Sequence, residues 1–318
     1  MATATISTIK RAPRALEMFA WFVVAYNTLV ILWGALVRAT KSGAGCGNHW
    51  PLCNGQVVPL SPRLDTIIEF THRMMTGGAT FVVVGLLIWI FRVMPKGKAA
   101  RTAAVASTVL LVNEALLGAL LVKLGYVTGN QSTGRVVMLS IHLSNTLLLL
   151  GALALTAVMV GTSQQTKELR LRGSRAGWIV LGLVATIVVG VSGSLAALGD
   201  TLFPATSLRE SLAQDLSATS PILLRLRGVH PVSALIAALF VFWIVAQARR
   251  SGHEGLGKLI VALLFIQFAL GLLDVALLAP TWMQIVHLFG ADLYWIALIV
   301  LSSYLLWPPH SDARQASA

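Results

Sequence analysis

Eight apolar runs constrain this chain more than any other feature, at about residues 16–37, 67–91, 102–122, 137–160, 176–198, 228–248, 259–279 and 283–306. A bilayer-spanning helix needs about 20 mostly apolar residues, because lipid offers no hydrogen-bond partner and every backbone N–H and C=O must be satisfied within the helix. Eight such helices take roughly half of the 318 residues and leave short connections. Composition agrees: 56% of residues are apolar and 11% are charged, whereas a soluble domain carries about a quarter charged residues. The expected fold is an all-α polytopic membrane protein with eight transmembrane helices. A soluble globule is excluded.

The net charge of +12 invites a nucleic-acid reading, but its distribution argues for topology. Basic residues gather in alternate gaps: Lys10, Arg11 and Arg14; Arg92, Lys96, Lys98 and Arg101; Lys167, Arg170, Arg172 and Arg175; Arg249, Arg250 and Lys258. Such clusters mark the cytoplasmic side, so both termini are expected inside. The basic excess then serves orientation and contact with anionic lipid, and no nucleic-acid partner is expected. The first run is too long for the apolar core of a signal peptide and lacks a small-x-small cleavage site, so it reads as a retained helix.

That topology leaves outer segments at roughly 38–66, 123–136, 199–227 and 280–282. Both cysteines, Cys46 and Cys53, lie in the first, in Gly45-Cys46-Gly47-Asn48-His49-Trp50-Pro51-Leu52-Cys53. Outside the cytoplasm paired thiols tend to be oxidised, so a disulfide is the leading reading. A metal site with His49 is the other, although two Cys and one His leave a tetrahedral ion one ligand short. In the third segment, Ser207 with Glu210 forms a capping box, and Leu208, Leu212 and Leu216 recur every four residues. That pattern predicts a short amphipathic helix on the outer membrane surface.

The histidines carry the chemistry. His49, His253 and His310 fall in loops or the tail, whereas His72, His142, His230 and His287 fall one in each even-numbered run, near its outer end. A lone membrane histidine is commonly a packing residue. Four at one depth are different, because ionisable groups in a bilayer are costly and usually functional. A planar iron porphyrin takes one imidazole on each axial face, so two pairs make two bis-His sites on one side of the membrane.

An internal repeat assigns the pairs. Ser140-Ile141-His142-Leu143 resembles Ile285-Val286-His287-Leu288; Glu114 before Gly118 matches Gln267 before Gly271; His72 matches His230. The offsets are 145, 153 and 158 residues. The chain therefore reads as two tandem four-helix bundles in parallel repeat: 1–160 with His72 and His142, a cytoplasmic linker 161–175, 176–307 with His230 and His287, and a polar tail 308–318. The halves differ chemically. Glu69 stands three residues before His72, on the same helical face, and Arg227 takes that place before His230. A carboxylate beside a haem can handle protons, whereas an arginine pairs with propionates or another anion. Alternatively Glu69 pairs with Arg73. Asn113 and Glu114 also lie within the membrane, with interhelical hydrogen bonding open to Glu114, and Asp274 and Asp292 read as packing or proton-path residues.

The stretch Trp33-Gly34-Ala35-Leu36-Val37-Arg38-Ala39-Thr40, running into Gly43 through Cys53, resembles haem A synthases, as does Glu69-x-x-His72-Arg73 with the later histidines. The resemblance spans about residues 18 to 307. It implies oxidation of a ring methyl of haem O to a formyl group, giving haem A. It further implies substrate haem at His72 and His142 with Glu69 at the reacting edge, and a resident haem b at His230 and His287 relaying electrons. Cys46 and Cys53 match the family's outer-loop disulfide; the second cysteine pair that some members carry between helices five and six is missing from this chain. A plasma-membrane setting is expected, bacterial because no Arg-rich, Ser-rich transit extension is seen, with haem O synthase or oxidase subunits as partners and an electron donor such as quinol. The rival reading is a b-type cytochrome passing electrons from quinol to an outer acceptor, and a transporter is a third. Oxidising an unactivated methyl is beyond side-chain chemistry and needs a cofactor.

Overall fold

The computed structural model describes residues 12–162 and 173–307. Lys10, Arg11, Lys167, Arg170, Arg172, His310 and the expected tail 308–318 lie outside the described residues, as does most of the expected linker.

Ten helices follow in chain order: α1 (Arg14–Ala39), α2 (Leu64–Val93), α3 (Ala99–Lys123), α4 (Thr133–Gly161), α5 (Ser174–Leu202), α6 (Leu208–Leu216), α7 (Ile222–Arg227), α8 (Val229–Arg250), α9 (Glu254–Ala276) and α10 (Thr281–Leu306). Among the described residues there is no named strand. Eight spans, counting α7 and α8 as one, are long and apolar enough to cross a membrane. The protein is a multi-pass helical membrane protein.

Helix ends extend past the apolar runs because polar residues flank them. Ser132 caps α4 by accepting from the backbone N–H of Arg135, which satisfies one donor that a helix start leaves orphaned. The sixth run begins earlier than its hydropathy predicts, as α7. Pro231 has no N–H to return to Arg227, and the helix breaks into α7 and α8 at Gly228. Each even-numbered run thus starts further out, and the histidines sit deeper than expected. His72, His142, His230 and His287 lie eight, nine, eight and six residues past the first residues of α2, α4, α7 and α10, about two turns in.

The amphipathic helix forms as α6, capped by Ser207 Oγ accepting from the backbone N–H of Glu210 at 3.2 Å. The reciprocal bond of the box shifts by one residue: Glu210 accepts from the backbone N–H of Thr206 at 2.7 Å and from its hydroxyl at 2.6 Å. Those bonds hold the exposed Glu210 carboxyl below its ordinary range.

Within the first four helices, α1 packs on α2 and α4, and α3 packs on α2 and α4; α8 packs on α5 and α9, and α10 on α9 and α5. Contacts between α4 and α5, α4 and α10, and α1 and α10 join these groups. Side chains donating to backbone carbonyls tie helices together at specific depths: Trp33 to Ile68 at 3.0 Å, Tyr26 to Met75 at 3.1 Å and Trp295 to Leu147 at 2.8 Å. In lipid, where apolar attraction between helices is weak, such bonds and close packing set the register.

Candidate functional site

Each of the four membrane histidines faces a glycine on the preceding long helix. A Cβ added to Gly34 on α1 would lie 3.0 Å from His72 Cε1, and one on Gly193 of α5 would lie 2.8 Å from His230 Cε1. At Gly118 and Gly271 the corresponding distances to His142 and His287 are 3.9 and 3.4 Å. Glycine inside a helix costs about 1 kcal/mol relative to alanine. Here the missing side chain gives room for an imidazole.

His72 and His142 line one cavity of about 300 Å³. Its lining also includes Glu69, Arg73, Glu114, Trp50, Arg38 and Arg135. His230 and His287 meet directly, with ring centroids 6.3 Å apart and planes at 83°. The structure thus brings His72 near His142 and His230 near His287. Nδ1 of His230 is 3.2 Å from the carbonyl of Val189 and 3.4 Å from Ser192 Oγ. A bond to a carbonyl requires the proton on Nδ1, which leaves the Nε2 lone pair free to ligate. Nδ1 of His72, His142 and His287 is buried without a hydrogen-bond partner.

Glu69 is 4% exposed inside the apolar bundle and is held on both oxygens. Oε2 accepts from the backbone N–H of Cys46 at 2.8 Å, and Oε1 accepts from Arg73 Nη2 at 2.5 Å and Nε at 3.2 Å. Arg73 also donates to the carbonyls of His49 and Leu52 at 2.5 and 2.6 Å. Cys46 and Cys53 are joined in a disulfide, so the metal alternative with His49 is set aside. This loop brings Trp50 and Gly43 to the wall of the cavity. Glu69 is paired with Arg73 and also borders the histidine cavity.

Arg227, expected at a cofactor, is occupied otherwise. Its guanidinium donates to Asp200 at 2.6 Å, to Asp215 at 2.7 Å and to Gln214 at 3.1 Å. A buried guanidinium needs compensating charge, and residues from α5 and α6 supply it. Arg227 thus pins α6 over the bundle end and does not stand open as an anion receptor.

Glu114 is the residue whose role sequence left open. It accepts from Asn145 Nδ2 at 2.7 Å and from the Thr146 hydroxyl, and its Oε1 stands 3.5 Å from His142 Nδ1. Asn145 is bonded in turn by Asn113 at 2.8 Å. Gln267, its match in the sequence repeat, has its Nε2 buried without a partner and packs against Gly290. Arg38 and Arg135 were also missed as lining residues; the available signal was arginine at helix ends on the side where basic residues are sparse. Asp274 and Asp292 each have one buried oxygen without a partner.

The described residues thus place two imidazole pairs in a helical membrane bundle, one pair beside a buried carboxylate. Residues 17–299 match the family described as cytochrome oxidase assembly protein, COX15-CtaA, and the chain belongs to that family. A protein of Exiguobacterium named heme A synthase is 25% identical over 308 residues, covering 96% of this chain and 97% of its own length. One of Alkalihalophilus pseudofirmus, also named heme A synthase, is 35% identical over 131 residues, or 41% of each chain. Proteins of two Thermus thermophilus strains named protoheme IX farnesyltransferase are 44% identical over 294 residues, covering 91% of this chain and 48% of theirs. The chain thus spans about half the length of those Thermus relatives.

Proposed function

We propose that this protein is a haem A synthase: it oxidises a ring methyl of haem O to the formyl group of haem A. The observation that carries the reading is the cavity that joins His72 and His142 to the buried, doubly held Glu69. Full-length similarity to a protein named heme A synthase supports it. The farnesyltransferase name belongs to proteins about twice as long, and the unmatched half has room for that other activity. Haem O synthase is accordingly the proposed supplier of substrate, and oxidase subunits the proposed recipients of product.

The proposed division of labour follows the two tandem halves. His72 and His142 hold substrate haem O. Glu69 takes up protons released as the methyl carbon is oxidised, and Arg73 with the Cys46 N–H keeps that carboxylate in place. Glu114 orients His142 from behind, as carboxylates do for metal-bound imidazoles. Trp50 and Gly43 of the outer loop border that cavity.

His230 and His287 fit a resident haem b. Both imidazoles would hold the iron, and their ring centroids are 6.3 Å apart. A free Nε2 on His230 and the cradle at Gly193 agree with that fit. Bound there, haem b supplies one-electron transfer. Ser192 and the Val189 carbonyl orient His230 for it. With both termini inside, the two pairs face the outer side of a bacterial plasma membrane. The electron donor is assigned no site.

The test is chromatography of haems extracted from membranes carrying this protein, with and without a co-expressed source of haem O. Haem A, or its hydroxylated precursor, is expected only when haem O is supplied. Haem O passing through unchanged, with haem b still held, would favour the electron-carrier reading instead.

A further inference from the structure

The chain gives its buried guanidiniums carboxylate partners, with informative exceptions. Arg73 has Glu69, and Arg227 has Asp200 and Asp215. Arg101 lies over the Phe91 ring, 4.0 Å from its centroid. Arg38 and Arg135 have neither device: among the described residues no carboxylate oxygen comes within 4.0 Å of either. Arg38 donates from Nη1 to the Ser194 carbonyl at 3.0 Å, and its Nε is buried without a partner. Arg135 is 7% exposed and donates from Nη1 to the Asn130 carbonyl at 2.7 Å.

Both line the His72–His142 cavity. They stand near enough for each charge to be felt by the other, and the carboxylates of Asp200 and Asp274 offset Arg38 only from beyond contact distance. Two like charges facing one cavity inside a low-dielectric bundle are costly unless an anion joins them. Arg135 precedes His142 by seven residues on α4, about 10 Å along the helix axis, and Arg38 follows Gly34, the neighbour of His72, by four residues on α1. The pair therefore sits to one end of the cavity and the imidazoles deeper. That offset matches a ring whose centre lies between the histidines and whose two carboxylate arms leave from one edge.

We propose that Arg38 and Arg135 clamp the two propionates of the substrate haem, and so fix which edge of the ring faces Glu69. The inference rests on the haem reading above and deepens it. Guanidinium is suited to the task, because its fork of N–H donors meets a carboxylate with two parallel bonds and its charge does not titrate away. Imidazoles on the two faces leave the ring free to rotate in its own plane. Pinning two arms at one edge removes that freedom, which makes the arginines positioning and specificity residues.

The test compares ferric protohaem, a dicarboxylic acid, with its dimethyl ester, which has the same ring and no charge on its arms. Each is titrated into the purified full-length protein in lipid nanodiscs and followed by the Soret band, with the His72→Ala variant as the blank for the other histidine pair. The unaltered protein should bind the diacid more tightly than the diester. Arg38→Gln and Arg135→Gln should each weaken the diacid roughly tenfold or more and leave the diester unchanged, with partial recovery in the lysine variants. Unchanged diester binding also shows that the variants are folded. Equal affinity for diacid and diester in the unaltered protein would overturn the clamp while leaving the haem site standing. So would equal weakening of both ligands in the variants. If inorganic phosphate or anionic lipid competes with the diester as well as the diacid, the arginines hold a separate anion and the clamp fails. No His72-dependent Soret change at all would overturn the haem reading itself.

Discussion

Glu114 reaches from α3 to within 3.5 Å of Nδ1 of His142 on α4, while the matching Gln267 on α9 leaves its amide nitrogen unpartnered. A carboxylate behind an imidazole strengthens it as a ligand; a neutral amide does so far less.

Exchanging Glu114→Gln should therefore weaken haem binding at the His72–His142 site by about tenfold or more and raise the midpoint potential of that haem. Redox titration of the purified protein checks this. Unaltered potential and affinity would show that Glu114 serves only Asn145 and Thr146.

Glu69→Gln keeps the shape of the residue but can accept from only one of its two donor groups, Arg73 or the Cys46 N–H; both proposed haems should still bind. Formation of haem A should fall by roughly 10²-fold or more if the carboxylate handles protons. Extracted haems, resolved by chromatography, give the answer, and normal product yield would remove Glu69 from the mechanism.

Gly193→Ala places a Cβ 2.8 Å from the His230 ring, closer than such contacts can be. The ring must move and lose its bonds to Val189 and Ser192. Loss of the low-spin haem b signal is expected, with the other site spared. Gly118→Ala, at 3.9 Å from His142, should be tolerated and serves as the control.

Removing Arg227 leaves Asp200 and Asp215 facing each other without their shared cation. Arg227→Gln should destabilise the α5–α6–α7 corner by about 3 kcal/mol. Limited proteolysis at the outer loops should accelerate, since α6 loses its anchor. Cleavage at the rate of the unaltered protein would show that α6 is held by its lipid contacts alone.

Much of this was legible in the sequence. Long apolar runs leave few folds open in a membrane, so eight spans follow from hydropathy, and the capping residues Ser132 and Ser207 are local signals. The four histidines stood out because they repeat at one depth. The break at Gly228 was less visible, since hydropathy does not register the N–H that Pro231 lacks. Glu114 and Arg227 were named, but their partners lie on other helices. Asp200 and Asp215 meet Arg227 from α5 and α6, at sequence distances that no local pattern connects. The cavity-facing role of Arg38 and Arg135 was hidden for the same reason: an arginine at a helix end reads as interfacial until the neighbouring helices show what it faces.

The glycines opposite the histidines have a mechanical consequence. Each is a point where its helix gives up about 1 kcal/mol of intrinsic preference and presents no side chain to brace a neighbour. Gly34, Gly118, Gly193 and Gly271 stand beside the four imidazoles, so these soft points coincide with the two seats. If haems are held there as proposed, the points where these helices are least braced are also the points that a flat, rigid disc would tie together.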